Sequence, residues 1–271
     1  MKRYTYEKSR RKLLKALGLG ALLPFNMILS SHSHLGSNFE IMDNKGVGDI
    51  QKIHRLLKLD LPLIWLFTGD SITHGAKHTH GYRSYPEVFQ ERIRWELGRV
   101  RDIIINSGIS GNTITDILQD FEWRVAQFKP SVVSIMIGTN DCSRKNMNPY
   151  KFGRYLEQFI EDIRSLEAIP IIHTPNPIIV KWAPERSTLP EYIPVIRDLS
   201  KEKELILVDN YDWWESQRDG KKVEVNKEWL NDPLHPNQKG HQQIAQNLFR
   251  SLEIFDPKVS TCGGGYYEGK H

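Results

Sequence analysis

The chain has 271 residues, of which 39% are hydrophobic and 26% charged, so it is long enough to bury one sizeable core. Its formal net charge is +4, but residues 1–15 hold seven basic side chains against Glu7 alone, and the rest of the chain is slightly acidic. This distribution argues against a nucleic-acid-binding surface, and two cysteines are too few for a disulfide scaffold or a zinc finger.

Residues 1–31 have the pattern of an export signal, in which a basic stretch precedes an apolar run over residues 16–29. Arg10 and Arg11 resemble the twin-arginine signal, which is read by bacterial export machinery. Pro24 interrupts the apolar run, which is also shorter than the roughly 20 residues of a membrane-spanning helix. We therefore expect a periplasmic or extracellular protein, with an uncleaved membrane tether as the alternative.

Residues 32–58 are predicted to be a polar linker followed by a short helix that Asp49 caps. The apolar residues of this helix recur at helical spacing, at Ile50, Ile53, Leu56 and Leu57.

Five short apolar runs follow at wide intervals and are predicted to be strands buried on both faces, as in a parallel sheet. They cover residues 63–68, 103–106, 132–137, 169–174 and 205–208. Segments with helical periodicity lie between and after them, for example residues 85–97, 150–166 and 238–252. This alternation predicts an α/β fold, a three-layer α/β/α sandwich whose ligand site lies beyond the carboxyl ends of the strands.

Polar blocks occur where the chain leaves this predicted sheet. They are Gly-Asp-Ser-Ile-Thr at 69–73, Asn-Ser-Gly-Ile-Ser-Gly-Asn-Thr at 106–113, Gly-Thr-Asn-Asp at 138–141 and Asp-Pro-Leu-His-Pro-Asn at 232–237. A serine hydroxyl needs a base to become a nucleophile, so we predict that Ser71 attacks the substrate and His235 takes its proton. Asp232, three residues before the histidine, is predicted to orient the ring and stabilise its protonated form.

Attack on an ester carbonyl creates an oxyanion that needs hydrogen-bond donors already in place, each worth roughly 3 to 4 kcal/mol. The predicted donors of this oxyanion hole are the backbone N–H groups of Ser71 and Gly111 and the side-chain amide of Asn140. Asp70 and Asp141 are predicted to hold their loops by accepting backbone N–H groups.

With these four blocks in order, residues 63–252 resemble the SGNH hydrolases, also called GDSL esterases. The resemblance implies the SGNH hydrolase fold, which is a flavodoxin-like sheet of five parallel strands, in a domain that we place at residues 59–256 before a tail at 257–271. It also implies no cofactor or metal, and hydrolysis of esters from lipids, short acyl groups or acetylated sugars. Ile72 stands where many members have leucine.

Several other residues lie near the predicted site. His74, His78 and His80 follow the serine, and we expect them to line the entrance rather than bind a metal. Arg83 is expected in a surface ion pair, with binding of an anionic substrate group as the alternative.

Two long segments, 175–194 and 210–231, are also expected at this end of the sheet. They carry Trp182, Trp213 and Trp214, for each of which core packing is the favoured interpretation, with binding of a sugar by the flat ring face as the alternative hypothesis.

Cys142 and Cys262 are either two thiols or one disulfide, since an exported protein meets an oxidising compartment. The bond would pull the glycine-rich residues 263–271 over the rim of the site, and without it these residues are expected to lack order.

The sequence therefore predicts an exported serine ester hydrolase that acts on a small-molecule or glycan ester through an acyl-enzyme on Ser71. A carbohydrate O-deacetylase is the preferred form. The alternatives are a lysophospholipase or thioesterase, an acyltransferase that excludes water, and a binding module without turnover.

Overall fold

The computed structural model describes residues 48–75, 77–220 and 225–266, without the side chains of residues 218–220, 226 and 227. The predicted export signal and most of the predicted linker lie outside these residues. No helix within the described part of the chain has the length and apolar character needed to cross a bilayer.

Five parallel strands form one sheet, and each lies within one residue of its predicted position. They are β1 Ile64–Gly69, β2 Ile103–Asn106, β3 Val132–Met136, β4 Ile169–Thr174 and β5 Ile206–Asp209. The strand order is β2-β1-β3-β4-β5, and each neighbouring pair is parallel. This order is the flavodoxin-like arrangement, which confirms the predicted fold class.

Helices flank the sheet and connect its strands. They are α1 Asp49–Lys58, α2 Ser71–His74, α3 Tyr85–Glu91, α4 Ile114–Gln119, α5 Phe121–Arg124, α6 Pro149–Ser165, α7 Leu189–Glu202, α8 Asn210–Gly220, α9 Val225–Trp229 and α10 Gln238–Ser251. The helix predicted over 85–97 changes at Arg92–Glu96 into a single π-helical turn.

The two faces of the sheet carry two separate hydrophobic cores, because successive side chains of a strand point to opposite faces. Trp65 and Phe67 of β1 belong to the core that α1, α3 and α10 cover, whereas Leu66 belongs to the core that α4, α6 and α7 cover. The molecule is therefore a three-layer α/β/α sandwich.

Helix α1 packs directly on the first of these cores, with Ile53 and Leu56 buried. Its N-cap residue is Gly48 rather than Asp49, because the Asp49 carboxylate is buried and paired with Arg164 of α6. The packed body thus begins before the predicted boundary at residue 59.

Of the two alternatives for Cys142 and Cys262, the structure has the two thiols. Both cysteines are unpaired and buried, and they lie in the two cores on opposite faces of the sheet. The described part of the tail is held instead by Glu96, which accepts hydrogen bonds of 3.0 Å from the Ser260 hydroxyl and the Thr261 N–H group. These contacts extend the packed body past residue 256.

Candidate active site

The predicted nucleophile, base and carboxylate meet at the carboxyl edge of the sheet. The hydroxyl oxygen of Ser71 lies 2.8 Å from Nε2 of His235, although the two residues are 164 positions apart in the sequence. On the other side of the ring, Nδ1 of His235 lies 2.7 Å from Oδ2 of Asp232. The three groups therefore form a continuous hydrogen-bonded row, in which the ring can pass a proton from the serine to a leaving group.

Ser71 is the first residue of the short helix α2, so its N–H group has no acceptor within that helix. Asp70 caps the helix by accepting the Ile72 N–H group at 2.9 Å, as predicted for its loop. Only glycine fits at position 69, because a Cβ atom there would lie 2.3 Å from the Met136 carbonyl oxygen. The turn from β1 into α2 thus fixes where the serine points.

The loop that carries His235 is shaped by the carboxylate of Asp232. Oδ1 of Asp232 accepts the N–H groups of Leu234 and His235, both at 2.8 Å. The segment after β4 also holds this loop, because the Ile179 N–H group donates a hydrogen bond of 2.9 Å to the Pro233 carbonyl.

The same contacts keep Asp232 ionised. Partial burial raises the pKa of the carboxyl group, but the two N–H groups and the His235 ring act in the opposite direction and lower its pKa below the ordinary value. A negative charge at this position can stabilise the imidazolium that forms when His235 accepts a proton.

The predicted oxyanion donors occupy the adjoining loops. Asn140 is buried, and its Nδ2 atom donates to the Asn112 carbonyl at 3.1 Å, which leaves the second amide hydrogen for another acceptor. Gly111 has a backbone φ of +83°, a conformation that favours glycine. The backbone conformation of the turn is thus the reason for glycine at this position. Lack of space is not the reason, because a Cβ atom there would have no other atom within 4 Å.

Two arginines that the sequence analysis did not single out hold these loops. Arg186 donates to Oδ1 of Asn140 at 3.2 Å, which fixes the orientation of the amide. Arg124 is buried and donates to Oδ1 of Asn112 at 2.6 Å and to the Ser107 carbonyl at 2.8 Å. Neither arginine belongs to a polar block in the sequence, so no local pattern distinguished it from a surface residue.

Asp141 holds its loop as predicted, through a hydrogen bond of 2.9 Å from the Ile114 N–H group to Oδ1. Its other carboxyl oxygen is buried without a hydrogen-bond partner among the described residues. Burial raises the pKa of Asp141 to about 7, and burial raises that of Asp70 to about 7 as well. Both carboxyl groups thus change charge near neutral pH.

The three histidines after the serine have different surroundings. His78 stacks on the ring of His235, His74 lies 3.1 Å from the Ser110 hydroxyl, and His80 is exposed. Arg83 forms a surface ion pair with Glu91, in agreement with the preferred prediction.

His78, Asp232 and His235 bring three potential metal-ligating atoms within 4.8 Å of one another. The two imidazole planes are nearly parallel, with ring centroids 3.5 Å apart. A metal ion can lie in the plane of only one of two parallel rings, so the two nitrogen lone pairs do not converge. The arrangement is therefore a poor ligand set.

The three tryptophans differ in whether they pack in the core or face solvent. Trp214 is 1% exposed and packs in the core edge-to-face on Trp229. Trp213 is half-buried, with Arg250 over its ring and its Nε1 atom bonded to Gln243. Both lie on α8, which packs on the body, whereas Trp182 is 66% exposed on a turn after β4.

The model of the GDSL-like Lipase/Acylhydrolase family matches residues 67–243. A curated acetylxylan esterase of Geobacillus stearothermophilus is 28% identical over 205 residues, which cover 69% of this chain and 92% of that protein. A crystal structure of an acetylxylan esterase from the same organism superposes with a TM-score of 0.61 at 23% identity, over 72% of this chain and 96% of that one. This second likeness concerns the fold.

Two further curated relatives have names that state no activity. A lipoprotein of Bacillus subtilis is 31% identical over 168 residues, which cover 53% of this chain and 68% of that protein. A protein of Mycoplasma pneumoniae is 30% identical over 168 residues, which cover 60% of this chain but only 18% of that much longer protein.

The raised pKa of Asp141 predicts how stability depends on pH. The folded protein holds the Asp141 proton up to about pH 7, whereas the unfolded chain loses it near pH 3.8. The protonated carboxyl group therefore stabilises the folded state fully below pH 3.8, and this contribution is lost as the pH rises through 7. Asp141→Asn keeps the acceptor for Ile114 and cannot ionise. We expect the free energy of unfolding of the parent, measured with urea from about pH 4 to about pH 7, to fall relative to that of this variant.

Asp198→Asn is the matched control, because Asp198 is exposed on α7. Its unfolding free energy should follow that of the parent at every pH. Parallel curves for the parent and Asp141→Asn would show that the Asp141 proton is not linked to folding.

Proposed function

The chain belongs to the GDSL-like Lipase/Acylhydrolase family and is a carboxylic ester hydrolase, and we propose that it removes acetyl groups from carbohydrate through an acyl-enzyme on Ser71. The observation that carries this proposal is the hydrogen-bonded row from Ser71 through His235 to Asp232. A hydroxyl, a ring and a carboxylate in that order are the groups that acyl transfer through a serine requires.

In the proposed first step, Nε2 of His235 takes the proton of Ser71 while the serine oxygen attacks the carbonyl carbon of the ester. The carbonyl oxygen becomes an oxyanion that accepts hydrogen bonds from the N–H groups of Ser71 and Gly111 and from the Asn140 amide. Asp232 stabilises the positive ring during this step.

His235 then gives its proton to the departing sugar oxygen, the bond from carbon to that oxygen breaks, and the acetyl group remains on Ser71. Water attacks this acyl-enzyme in the second half of the reaction, with His235 again taking the proton. The second tetrahedral intermediate releases acetate and restores the Ser71 hydroxyl, so that one ester and one water give one acid and one alcohol.

Two observations favour a carbohydrate ester over a lipid ester. Similar curated proteins are named acetylxylan esterases, and Trp182 exposes a flat ring on the turn that Ile179 ties to the His235 loop. Exposed tryptophan faces suit the apolar faces of sugar rings. An apolar groove near Ile72 would have favoured a lipid substrate, but Ile72 is buried in a hydrophobic core.

We also propose that residues 1–31 direct export, so that the enzyme meets its substrate outside the cytoplasm. The support is the basic and then apolar pattern of that segment, together with similarity to a relative whose name states that it is a lipoprotein.

Replacing the nucleophile tests the mechanism. Ser71→Ala should lower kcat about 10⁴-fold or more on 4-nitrophenyl acetate, because among the described residues Ser71 supplies the hydroxyl bonded to Nε2 of His235. Ser165→Ala, an exposed serine at the end of α6, should leave kcat unchanged. Turnover by Ser71→Ala at the parental rate would refute the proposed nucleophile.

The same assay separates the substrate classes. Parent enzyme should release acetate from acetylated xylo-oligosaccharides and prefer 4-nitrophenyl acetate to the longer decanoate ester. A preference for the decanoate ester, with no release of acetate from the oligosaccharide, would favour the lipid alternative.

Removal of the exposed Trp182 ring should weaken binding of the sugar without changing the rate of the chemical step. Trp182→Ala is expected to raise KM for an acetylated oligosaccharide about tenfold, equivalent to roughly 1.4 kcal/mol, while kcat and KM on 4-nitrophenyl acetate stay near parental values. Trp95→Ala removes an exposed ring from the π-helical turn and serves as the control. Equal KM values for the two variants on the oligosaccharide would rule out a role for Trp182 in sugar binding.

Export can be measured by fractionating bacterial cells that express the full chain. The double variant Arg10→Lys and Arg11→Lys should keep the protein in the cytoplasm, since the twin-arginine pair is the feature read by that pathway. Arg3→Lys lies outside the pair and should be exported like the parent. Export of the double variant at the parental level would contradict the twin-arginine assignment.

A further inference from the structure

His78 lies outside the proposed triad but covers one face of its base. The rings of His78 and His235 are stacked with their centroids 3.5 Å apart and their planes 10° from parallel. Nδ1 of His78 is 4.0 Å from Oδ2 of Asp232, so the second ring extends over the link between base and carboxylate. No hydrogen bond from His78 to the triad is needed for this contact, which is made by the ring faces.

The backbone fixes His78 in this position. It lies in the single turn Lys77–Thr79 that follows α2, and the buried Thr79 anchors the end of that turn through a hydrogen bond of 2.9 Å to the Gly75 carbonyl. From the other side, Asn231 donates its side-chain amide to the His78 carbonyl at 2.7 Å. Because Asn231 directly precedes Asp232, the loop after the nucleophile and the loop of the base are joined at this point.

The base and its carboxylate partner differ in their exposure to solvent. The side chain of His235 is only 12% exposed, whereas that of Asp232 is 41% exposed. The ring of His78 covers one face of this imidazole, while the carboxylate that pairs with the imidazole remains open to solvent.

The charge of His78 suits this position. Burial, followed by the neighbouring His235, lowers the pKa of His78, so its ring is neutral in neutral solution. The other charged or titratable groups that act on it are Asp232, Lys77 and His74. A neutral ring can remain against His235 when that residue becomes an imidazolium, whereas a second cation would repel it.

We propose that His78 is a positioning residue for the ester hydrolase, whose ring face holds the His235 imidazole in line with Ser71 and excludes water from it. This inference rests on the proposed role of His235 as the base. It assigns to the loop after the nucleophile a part in catalysis that needs an aromatic ring but no ring nitrogen.

Three variants test the proposal on 4-nitrophenyl acetate. His78→Ala removes the ring, and kcat should fall about tenfold to a hundredfold with little change in KM, because the base becomes mobile. His78→Phe keeps a flat ring, and its kcat should stay within about threefold of the parent. His80→Asn is the control, since His80 is exposed two residues further on and asparagine tolerates its positive φ.

A pH profile separates this role from a general effect on folding. Without the ring, water reaches His235 and stabilises its protonated form, so the acid limb of kcat/KM in His78→Ala should move to higher pH. The limb in His78→Phe and His80→Asn should stay at the parental position. Thermal unfolding checks that each variant is folded, and His78→Ser, equally without a ring, replaces the alanine variant if that one unfolds.

Two results would overturn the proposal. One is a parental kcat and acid limb in His78→Ala, and the other is a loss in His78→Phe as large as that in His78→Ala. The Ser71→Ala variant, assayed alongside, distinguishes this failure from failure of the proposed function. An inactive Ser71→Ala with a fully active His78→Ala refutes only the role of His78, whereas an active Ser71→Ala refutes the proposed nucleophile itself.

Discussion

The hydrogen bond between Ser71 and His235 depends on a loop that belongs to no strand of the sheet. Parallel strands bring the ends of β1 and β3 together, but the segment that carries Asp232 and His235 comes after the last strand and must be held in place by other contacts. Those contacts are one backbone hydrogen bond to the Pro233 carbonyl from the segment after β4, a β-bridge between Leu230 and Pro236, and the hydrogen bonds that the Asp232 carboxylate accepts within its own loop. Ring and hydroxyl can approach within 2.8 Å because both sides of the contact are fixed in this way.

Charged groups are buried where the chain leaves the sheet, and the reason is the backbone. At these turns N–H and carbonyl groups lose their partners in the sheet, and an unpaired buried group is costly. Asp70 and Asp141 accept such N–H groups, and Arg124 donates to such carbonyl groups. Burial of these charges is itself unfavourable, and the raised pKa values of the two carboxyl groups reflect that cost. The side chains that satisfy the turns thus also hold the polar groups of the site in place.

Much of this arrangement could be predicted from the sequence, because the relevant signals are local. The strands β1, β3 and β4 are buried and read as apolar runs, whereas the edge strands β2 and β5 have the same apolar composition although they are only partly buried or exposed. All five were therefore placed within one residue, but the expected burial on both faces does not hold for β2, which lies at the edge of the sheet. The polar blocks that follow contain Ser71, Asn140 and His235, whose chemistry identifies them as candidates wherever they lie. The alternatives for the cysteines and the tryptophans could not be decided from the sequence, because they depend on how remote segments pack. Cys142 and Cys262 lie on opposite faces of the sheet, and Trp214 packs in the core. The residues next to each of these side chains in the sequence do not reveal which face of the sheet it lies on or how α8 packs.

The sequence by itself determined the fold class, the strand positions and the residue types available for catalysis, since hydrophobic periodicity and side-chain chemistry are properties of short segments. Only the tertiary structure decided which of these side chains touch. It placed His78 against His235, Arg186 against Asn140, and the ring of Trp182 in solvent. The two contacts join segments far apart in the chain, and the exposure of Trp182 depends on what packs around its turn. Such features arise only when the whole core assembles.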